Sequence, residues 1–302
     1  MFVKKHKVLD GRDAILVTDI GRVSLYDTFE CGQAFRYECV ERREGYTEYM
    51  TVAYEKIIRV GQRDERELIF YGMSDEDFES IAVPYFSLDR DYEAIGRDII
   101  SRTDSEWLTR AADSAAGIRI LKQEPWETLF SFIISQNNNI PRIRKIIRSI
   151  CLEYGRNLST EERTSESEDN LGARYSVPTA KQILERPEGL LPSKPGFRYK
   201  YLIDAAAKVE SGEVDLAAIA EAKSYDYTVA ELKKICGVGD KVASCVALFG
   251  FANLEAFPVD VWMKRAIDEY FGGSLDPKSL GDYAGVAQQY IFHYIRNLSK
   301  NG

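Results

Sequence analysis

The spacing of apolar residues changes once along the chain, from a pattern typical of strands to one typical of helices. Between residue 13 and about residue 72, segments rich in Val, Ile, Tyr and Phe alternate with glycines or charged residues, as is typical of β-strands. The predicted strand segments are AILVTDI, VSLYDTF, AFRYECV, EYMTVAYEKIIRV and ELIFYGM. After about residue 75 the apolar spacing is helical almost to the end. The sequence therefore predicts an α+β protein with an N-terminal antiparallel sheet followed by an α-helical body.

Two helices are predicted in the middle of the chain. The first begins near Pro125, a residue favoured in the first helical turn, continues through WETLFSFIISQ and ends at NNN. The second begins near Pro141 and repeats apolar residues at helical spacing. These residues are Ile143, Ile146, Ile147 and Ile150. Because they share one face, the basic residues of this helix must lie on its other faces.

Length and composition suit a protein with two domains. The chain has 302 residues, of which 45% are hydrophobic, so it can bury a substantial core. We predict an N-terminal sheet domain with flanking helices at residues 1–115 and a helical body at residues 116–302. Residues 157–173 are heavily charged and lack aromatic side chains, which indicates a solvated loop without an assigned function.

The net charge argues against a nucleic-acid partner, whereas its distribution does not. A net charge of −8 disfavours binding to a polyanion, because such binding depends on Lys and Arg. The segment PRIRKIIRSI, residues 141–150, nevertheless contains four basic residues and no acidic one. We therefore expect a local basic surface on a chain that is acidic as a whole.

Several classes of site are disfavoured by the cysteines and histidines. The five cysteines are scattered and never form a C-x-x-C pair, which argues against a disulfide framework and against zinc or iron–sulfur sites. His6 and His293 are far apart in sequence, so a histidine metal site is not indicated. We expect no metal and no cofactor.

No membrane partner is expected from the hydropathy of the chain. No apolar run approaches the ~20 residues that span a bilayer, and the first residues lack the apolar region of a signal peptide. We interpret the protein as intracellular, and as located in the cytoplasm or nucleoid if it is bacterial.

The segment CGVGDKVASC, residues 236–245, places two glycines and a lysine between two cysteines. Its glycine spacing fits neither a Walker A loop nor a dinucleotide fingerprint. The preceding TVAELKKI has Thr228 followed three residues later by Glu231, which predicts a helix start with a capping box. We predict a helix-hairpin-helix at about residues 226–251, whose unpaired backbone N–H groups suit an anion such as a DNA phosphate.

Four sequence blocks occur in a fixed order along most of the chain. They are CGQAFRY (31–37), LFSFIISQNNNIPRI (129–143), GFRYKYL (196–202) and LKKICGVGDKVASCVALFGFANLEAFPVDVWMKR. Together they resemble the 8-oxoguanine DNA glycosylase family of the helix-hairpin-helix, Gly/Pro-Asp superfamily. The resemblance implies a bifunctional DNA glycosylase and AP lyase of base excision repair. It also implies a monomer that acts on double-stranded DNA containing 8-oxoguanine opposite cytosine.

Two other functions stay open beside this one. The first is a monofunctional glycosylase for alkylated bases on the same fold, and the second is a non-enzymatic module that uses the hairpin to grip DNA. Lys241 argues against the first, because enzymes that use only an activated water lack a lysine here. Asp260 and the aromatic pocket candidates argue against the second.

The resemblance implies two catalytic residues. Lys241 is expected to attack C1′ of the damaged nucleotide, expel the base and form a Schiff base that permits β-elimination. Asp260, in FPVDVW, is expected to stabilise positive charge on the sugar and to assist proton transfers. Asp260 is also a plausible N-cap of the following helix, and capping would hold its carboxylate in place.

The resemblance also implies a pocket for the flipped base, with the last helix packing back toward it. The Gly32 carbonyl is expected to accept the N7–H that 8-oxoguanine has and guanine lacks. Phe292 is expected to stack on the base, and Gln288, one turn earlier, to bond its Watson–Crick edge. Further candidates for substrate binding are Gln33, Phe35, Cys245 and Pro258. Phe35 and Cys245 are equally well explained as ordinary core residues.

Three polar residues match positions that read the orphaned cytosine in the family. They are Asn137, Arg142 and Arg198, whose side chains can make paired hydrogen bonds to base edges. Phe197 stands where a tyrosine is expected and can still wedge into the base stack.

The hairpin supplies the remaining DNA-binding candidates. Gly237, Gly239 and Val242 are expected to grip a strand phosphate. We expect Cys236 to be structural and to face the protein interior.

Overall fold

The computed structural model describes residues 2–159 and 174–301. Most of the charged segment that we predicted as a solvated loop, residues 157–173, lies outside the described residues.

The N-terminal part is a six-stranded antiparallel sheet in the order β1-β2-β6-β5-β4-β3. The strands are β1 Val3–Leu9, β2 Arg12–Thr18, β3 Tyr37–Arg43, β4 Tyr46–Ala53, β5 Lys56–Gln62 and β6 Leu68–Tyr71. The predicted antiparallel sheet is therefore confirmed. From the edge hairpin β1–β2 the chain crosses to β3 at the opposite edge and returns through β4 and β5 to β6, which pairs with β2.

Three strand predictions need correction. The segment VSLYDTF forms helix α1, Leu25–Glu30, because Ser24 caps it and Leu25, Thr28 and Phe29 are buried at helical spacing. The segment EYMTVAYEKIIRV forms two strands, because Tyr54 and Glu55 have φ of 49° and 61° and form a tight hairpin turn. Strand β1 was missed because its sequence, VKKHKVL, is mostly polar and mostly exposed.

The two faces of the sheet have different cores. On one face, aromatic rings from the strands pack with those of the following short helices; this cluster includes Phe29, Tyr49, Phe70, Phe78 and Phe86. On the other face, Glu48 is 1% exposed and accepts hydrogen bonds from Arg12, Arg59 and Tyr46. A buried carboxylate that is fully paired in this way ties β2, β4 and β5 together.

Helices make up the rest of the described chain. A short helical segment, α2 Asp75–Asp77, one π-helical turn and α3 Val83–Tyr85, follows the sheet. The body then contains α4 Tyr92–Ser101, α5 Glu106–Ser114, α6 Pro125–Ser135, α7 Ile140–Tyr154, α8 Ala180–Glu185, α9 Arg198–Glu210, α10 Leu216–Ala222, α11 Tyr225–Leu232, α12 Asp240–Gly250, α13 Val261–Tyr270 and α14 Ala284–Asn301.

The two helices predicted in the middle of the chain are confirmed as α6 and α7. Helix α6 starts at Pro125, with Glu124 as its N-cap, and α7 buries the isoleucines that the sequence placed on one face. Helix α6 packs against α12 so closely that a Cβ on Gly250 would lie 3.3 Å from the Cα of Pro125. This contact places the N-terminal half of α12 beside the C-terminal half of α6.

The boundary near residue 115 stays a prediction. Helices α4 and α5, which we assigned to the sheet domain, contribute Tyr92, Ile99 and Trp107 to the core of the helical body. Their packing against α14 favours placing them with that body. In the two described stretches, no helix is long and apolar enough to cross a membrane.

We predict that Glu48→Gln lowers the free energy of unfolding by about 2–3 kcal/mol at neutral pH. Burial raises the pKa of Glu48, but hydrogen bonds from Arg12 and Tyr46 and the charge of Arg59 outweigh it and lower this pKa from 4.5 to about 2. A carboxylate with a lowered pKa stabilises the fold above its unfolded value and loses that contribution as pH falls toward the folded value. Urea unfolding of both proteins between pH 7 and pH 2 measures this difference.

The wild-type and variant curves of unfolding free energy should converge as pH falls below about 4.5. Curves that stay parallel across this range would show that the paired carboxylate does not stabilise the sheet.

Candidate active site and DNA-contacting residues

The predicted helix-hairpin-helix is formed by α11, a glycine turn and α12. Helix α11 starts three residues before Thr228, and its N-cap is Ser224, which accepts a hydrogen bond from the Tyr227 N–H. The predicted capping box at Thr228 is therefore wrong. Thr228 is buried within the helix and donates its hydroxyl to the Ser224 carbonyl, because the preceding serine supplies a cap that keeps Thr228 in the first turn.

The two glycines of the hairpin occupy positions with different steric requirements. Gly237 has φ of +80°, and a Cβ there would lie 2.5 Å from the ring of Tyr201. Only glycine fits this position without a shift of the Tyr201 side chain. Gly239 is the N-cap of α12, with φ of −98° and open space around it.

The first turn of α12 leaves backbone N–H groups unpaired within the helix. Gly239 has no side chain to cap them, and the Val242 side chain is buried in the core, so only the Val242 backbone can face a ligand. Cys236 was expected in the interior, and that expectation is wrong: its side chain is exposed. Its N–H donates instead to the carboxylate of Asp204, over 2.6 Å, because the turn directs the backbone toward α9.

Lys241 lies in the first turn of α12 and is half-buried. Its Nζ lies 5.2 Å from the centre of the Phe132 ring, which belongs to α6. The Phe132 ring stacks on Phe249 at 5.5 Å and contacts the edge of Phe35 at 5.6 Å between ring centres. Phe132 thus connects Lys241 to the segment that contains Gly32.

Asp260 caps helix α13, as the sequence predicted. One carboxylate oxygen accepts hydrogen bonds from the N–H groups of Trp262 and Met263, at 3.0 and 2.9 Å, and the residue is half-buried. Pro258, two residues earlier, is buried. Fixing the carboxylate by two backbone bonds holds it at one position.

Cys245 lies close to both catalytic candidates. Burial raises the pKa of its thiol; the charge of Lys241 acts against this rise, and that of Asp260 adds to it. The thiol is 4% exposed and therefore stays protonated at neutral pH. The structure thus gathers Lys241, Asp260 and Cys245 at one place, where α12 begins and α13 is capped.

The segment that follows α1 carries Gly32 to the edge of α14. Gly32 has φ of +87°, and a Cβ there would lie 4.0 Å from the Phe292 ring and 3.8 Å from the Arg296 guanidinium. Gly32, predicted to accept the N7–H of the base, and Phe292, predicted to stack on that base, are therefore neighbours. Phe35 is 7% exposed and packs in the helical core, so its contribution is to packing.

Gln33, predicted to bind substrate, has a different position from the one expected. It is fully buried, and its amide donates to the carbonyls of Thr28 and Arg119 and accepts from the Leu121 N–H, each at 2.8 Å. The side chain is thus fully hydrogen-bonded inside the protein, because the apolar core around it offers no water. Its role in this fold is to hold the Gly32 segment in place.

Two further groups that hold this segment were not found from the sequence. Gln123 donates to the Gln33 carbonyl at 2.7 Å, and its own N–H donates to the Phe249 carbonyl at 2.7 Å. Arg36 is buried and pairs with Glu127 of α6 at 2.6 Å. These residues join partners about 90 or more positions apart, and no local spacing signals such contacts.

On α14, Phe292 is half-buried and Gln288 is 3% exposed. The start of this helix packs on α12: the Gly285 N–H donates to the Leu254 carbonyl, and a Cβ on Gly285 would lie 2.6 Å from Leu248. The last helix therefore returns to the site, with Gln288 and Phe292 one turn apart.

The residues predicted to read the opposite base lie around the turn after α6. Asn137 is exposed with φ of +47°, and Arg142 is exposed in the first turn of α7. Phe197 is 46% exposed and lies within 4.4 Å of the Arg198 guanidinium. Asn137, Arg142 and Phe197 form one exposed cluster at the end of α6, the helix that carries Phe132.

Arg198 differs from its neighbours, because it is 2% exposed. Its guanidinium donates to the carbonyls of Gln136 and Asn137, the latter at 2.9 Å, and to that of Pro195 at 3.2 Å. Arg198 therefore supports the Asn137 turn from inside the protein and does not present a free guanidinium at the surface. In residues 2–159 and 174–301, no group of three or more His, Cys, Asp or Glu side chains could hold a metal ion.

Comparisons with known proteins agree with this arrangement. The family model for the N-terminal domain of 8-oxoguanine DNA glycosylase matches residues 15–129. MBOgg1, solved in complex with a low affinity DNA ligand, is 35% identical and superimposes with a TM-score of 0.83 over 98% of this chain and 99% of its own. The chain belongs to the 8-oxoguanine DNA glycosylase family.

Two further relatives extend the comparison for this member of the 8-oxoguanine DNA glycosylase family. The 8-oxoguanine glycosylase/lyase of Clostridium acetobutylicum, solved with double-stranded DNA containing cytosine opposite 8-oxoguanine, is 33% identical. It has a TM-score of 0.83 over 99% of this chain and 98% of its own. The N-glycosylase/DNA lyase of Saccharomyces cerevisiae is 29% identical over 269 residues, which are 83% of this chain and 69% of that protein. The fold and family predicted from the sequence are confirmed.

We predict that Gly237→Ala destabilises this glycosylase by about 2 kcal/mol or more and weakens its binding to DNA. The new Cβ would require both a left-handed backbone conformation and a shift of Tyr201. Gly239→Ala is the matched control, because its φ of −98° and its open surroundings accept a side chain at a cost of about 1 kcal/mol or less. Thermal unfolding of the three proteins gives the comparison.

Equal losses in the two variants would contradict this account of the hairpin. DNA affinity, measured by fluorescence anisotropy on one duplex, should fall mainly in Gly237→Ala, because that variant alone displaces the turn.

Proposed function

We propose that this chain is a bifunctional glycosylase and lyase that excises 8-oxoguanine from double-stranded DNA and then cleaves the strand at the resulting site. The observation that carries the proposal is the position of Lys241. A lysine at the start of α12, half-buried against the Phe132 ring and beside Cys245 and Asp260, has the surroundings of a nucleophile. A lysine that served only for solubility would extend into water.

The proposed reaction begins when the Lys241 amine attacks C1′ of the damaged nucleotide. The bond from C1′ to the base breaks, and its electron pair leaves with the base, which takes up a proton. Loss of the amine protons and opening of the sugar give a Schiff base between Lys241 and C1′. The imine makes the C2′ proton acidic, and its removal expels the 3′ phosphate by β-elimination.

Asp260 is proposed to stabilise the positive charge that develops on the sugar as the base departs. One of its oxygens is held by the Trp262 and Met263 N–H groups, and the other is proposed to face the sugar. A carboxylate that is fixed before the reaction needs no reorganisation when the charge appears.

Base recognition is proposed to combine Gly32 with α14. The Gly32 carbonyl would accept the N7–H of 8-oxoguanine, whereas guanine presents a lone pair there. 8-Oxoguanine gains one hydrogen bond to this carbonyl, whereas the N7 lone pair of guanine is repelled by it. This difference corresponds to about 10- to 100-fold discrimination between the two bases. Phe292, next to Gly32, offers a ring for stacking, and Cys245 offers a neutral thiol on the α12 side.

The opposite base is proposed to be cytosine, read by the exposed cluster at the end of α6. Asn137 and Arg142 provide an exposed amide and an exposed guanidinium, and Phe197 provides a wedge for the vacated stack. Arg198 would act through the Asn137 turn that it holds. The open amides at the start of α12 would grip a strand phosphate, and we propose that one monomer is sufficient.

Two alternatives were kept open by the sequence. A glycosylase for alkylated bases would not need a lysine in a half-buried position against an aromatic ring. A DNA-binding module without activity would not need a fixed carboxylate beside it. Both features are present here, and they favour the lyase.

We predict that borohydride traps the wild-type protein covalently on a duplex with 8-oxoguanine opposite cytosine, and that Lys241→Gln forms no adduct. The reason is that borohydride reduces the imine, which requires the Lys241 amine. Gel analysis of the cross-link measures the result, and Lys234→Gln, an exposed lysine of the preceding turn, is the control that should still be trapped. An adduct with Lys241→Gln would assign the nucleophile to another amine.

We predict that Asp260→Asn reduces the single-turnover rate of base excision at least about 100-fold while the melting temperature changes little. Asparagine caps helices as well as aspartate does, so the substitution removes the charge and keeps the cap. A wild-type rate in this variant would show that Asp260 has only the structural role.

We predict that excision opposite cytosine exceeds excision opposite adenine, and that Arg142→Ala reduces this ratio about tenfold or more. Rates on four duplexes with cytosine, thymine, guanine or adenine opposite 8-oxoguanine provide the measurement. A ratio that is unchanged in Arg142→Ala would remove this residue from the reading of the opposite base.

A further inference from the structure

Helix α14 carries an arginine one turn beyond the ring that is proposed to stack on the base. Arg296 follows Phe292 by four positions, and side chains at this spacing share one face of a helix. Its guanidinium lies 5.2 Å from the centre of the Phe292 ring. A Cβ on Gly32 would lie 3.8 Å from the Arg296 Nη1. Arg296 therefore lies where the Gly32 segment and Phe292 meet.

The guanidinium of Arg296 has N–H groups that no described residue uses. Arg296 is half-buried, and its guanidinium makes no hydrogen bond or ion pair with any residue that the structure describes. Two groups line a small cavity with it. The Glu30 carboxylate accepts a hydrogen bond from the Tyr37 hydroxyl over 2.9 Å, and burial raises the pKa of the Cys31 thiol to about 12, so that this thiol carries no charge at neutral pH.

A guanidinium in this state favours an oxygen acceptor from outside the protein. Arginine presents five N–H donors in one plane and keeps its charge at every pH at which proteins are folded. Partial burial removes some of its hydration, and donors that lose water without gaining a partner are costly. A ligand oxygen placed beside Gly32 and Phe292 would supply the missing partner.

8-Oxoguanine differs from guanine at two neighbouring atoms. Its N7 carries a hydrogen, and its C8 carries a carbonyl oxygen, O8. The proposed function uses only the first difference, through the Gly32 carbonyl. A carbonyl cannot recognise O8, because both oxygens are acceptors, so recognition of O8 requires a donor. Arg296 is a charged donor next to Gly32.

The order of side chains along α14 matches the long axis of a purine. Gln288, proposed for the Watson–Crick edge, comes first, and Phe292, proposed for the ring face, follows one turn later. Arg296 comes after one further turn. In a purine, C8 lies at the end opposite the Watson–Crick edge. A base that stacks on Phe292 with that edge toward Gln288 therefore directs O8 toward Arg296.

We infer that Arg296 donates a hydrogen bond to the C8 oxygen of the flipped base and is a specificity-determining residue for purines oxidised at C8. The inference rests on the proposed function, in which the base stacks on Phe292. Hydrogen bonds from a charged donor are stronger than those between neutral groups. Guanine has no oxygen at C8 and would leave the Arg296 donors without a partner in the closed pocket.

The test compares binding to three duplexes that carry 8-oxoguanine, guanine or a tetrahydrofuran abasic analogue opposite cytosine. The full-length protein with Lys241→Gln is the background, so that no substrate is consumed. Arg296→Met is added, because methionine keeps an apolar stem against the Phe292 ring but has no donor. The affinity for the 8-oxoguanine duplex should fall about 10- to 100-fold, and the other two affinities should stay the same.

The three duplexes separate O8 from a phosphate, which offers the same kind of oxygen acceptor. An arginine that grips a backbone phosphate, or only supports the fold, would give equal losses on all three duplexes. That result, or an unchanged affinity for the 8-oxoguanine duplex, would overturn the inference. Arg97→Met, at an exposed position of α4, is the matched control and should change none of the three affinities.

Excision with Lys241 intact separates the inference from the proposed function. With enzyme below saturation, Arg296→Met should excise 8-oxoguanine about tenfold more slowly than the wild type, or slower still. If borohydride traps the wild type and Arg296→Met excises at the wild-type rate, the role of Arg296 fails while the glycosylase and lyase function stands. If the wild type forms no adduct, the proposed function itself fails.

Discussion

The contact between α6 and α12 through Phe132 is the interaction on which the rest of the site depends. The ring stacks on Phe249, contacts Phe35 and lies beneath the Lys241 amine. Aromatic packing of this kind is dense and leaves little freedom for its members. The position of Lys241, the proposed nucleophile, is therefore set by the core, and the segment that carries Gly32 is attached to the same ring cluster through Phe35.

A polar network gives the second constraint, because it joins the sheet domain to the helical body. Gln33 bonds to backbone groups of Thr28, Arg119 and Leu121, and Gln123 connects its carbonyl to the end of α12. Buried polar groups that are fully paired specify one arrangement, since any shift leaves a donor or acceptor without a partner. Gly32 thus receives its position from the sheet region and from the helical region together.

Local sequence signals predicted a feature correctly where the residues that form it lie within a few positions of one another. Helices α6 and α7, the buried isoleucines of α7 and the cap at Asp260 follow from spacing and capping residues that lie within a few positions. VSLYDTF was misassigned, because its β-branched and aromatic residues resemble a strand while a serine cap and the packing of Phe29 produce a helix. The cap at Thr228 was misassigned because Ser224 competes for the same role.

The sequence by itself determined the family, the order of the four blocks, the helix-hairpin-helix and the identity of the catalytic candidates, because each depends on residues that are close along the chain. Only the tertiary structure decided that Gln33 and Arg198 are supports inside the protein and that Cys236 is exposed. The physical reason is that burial and hydrogen-bond partners depend on which distant segments pack together and on the direction of each side chain. Neither quantity is encoded in local spacing.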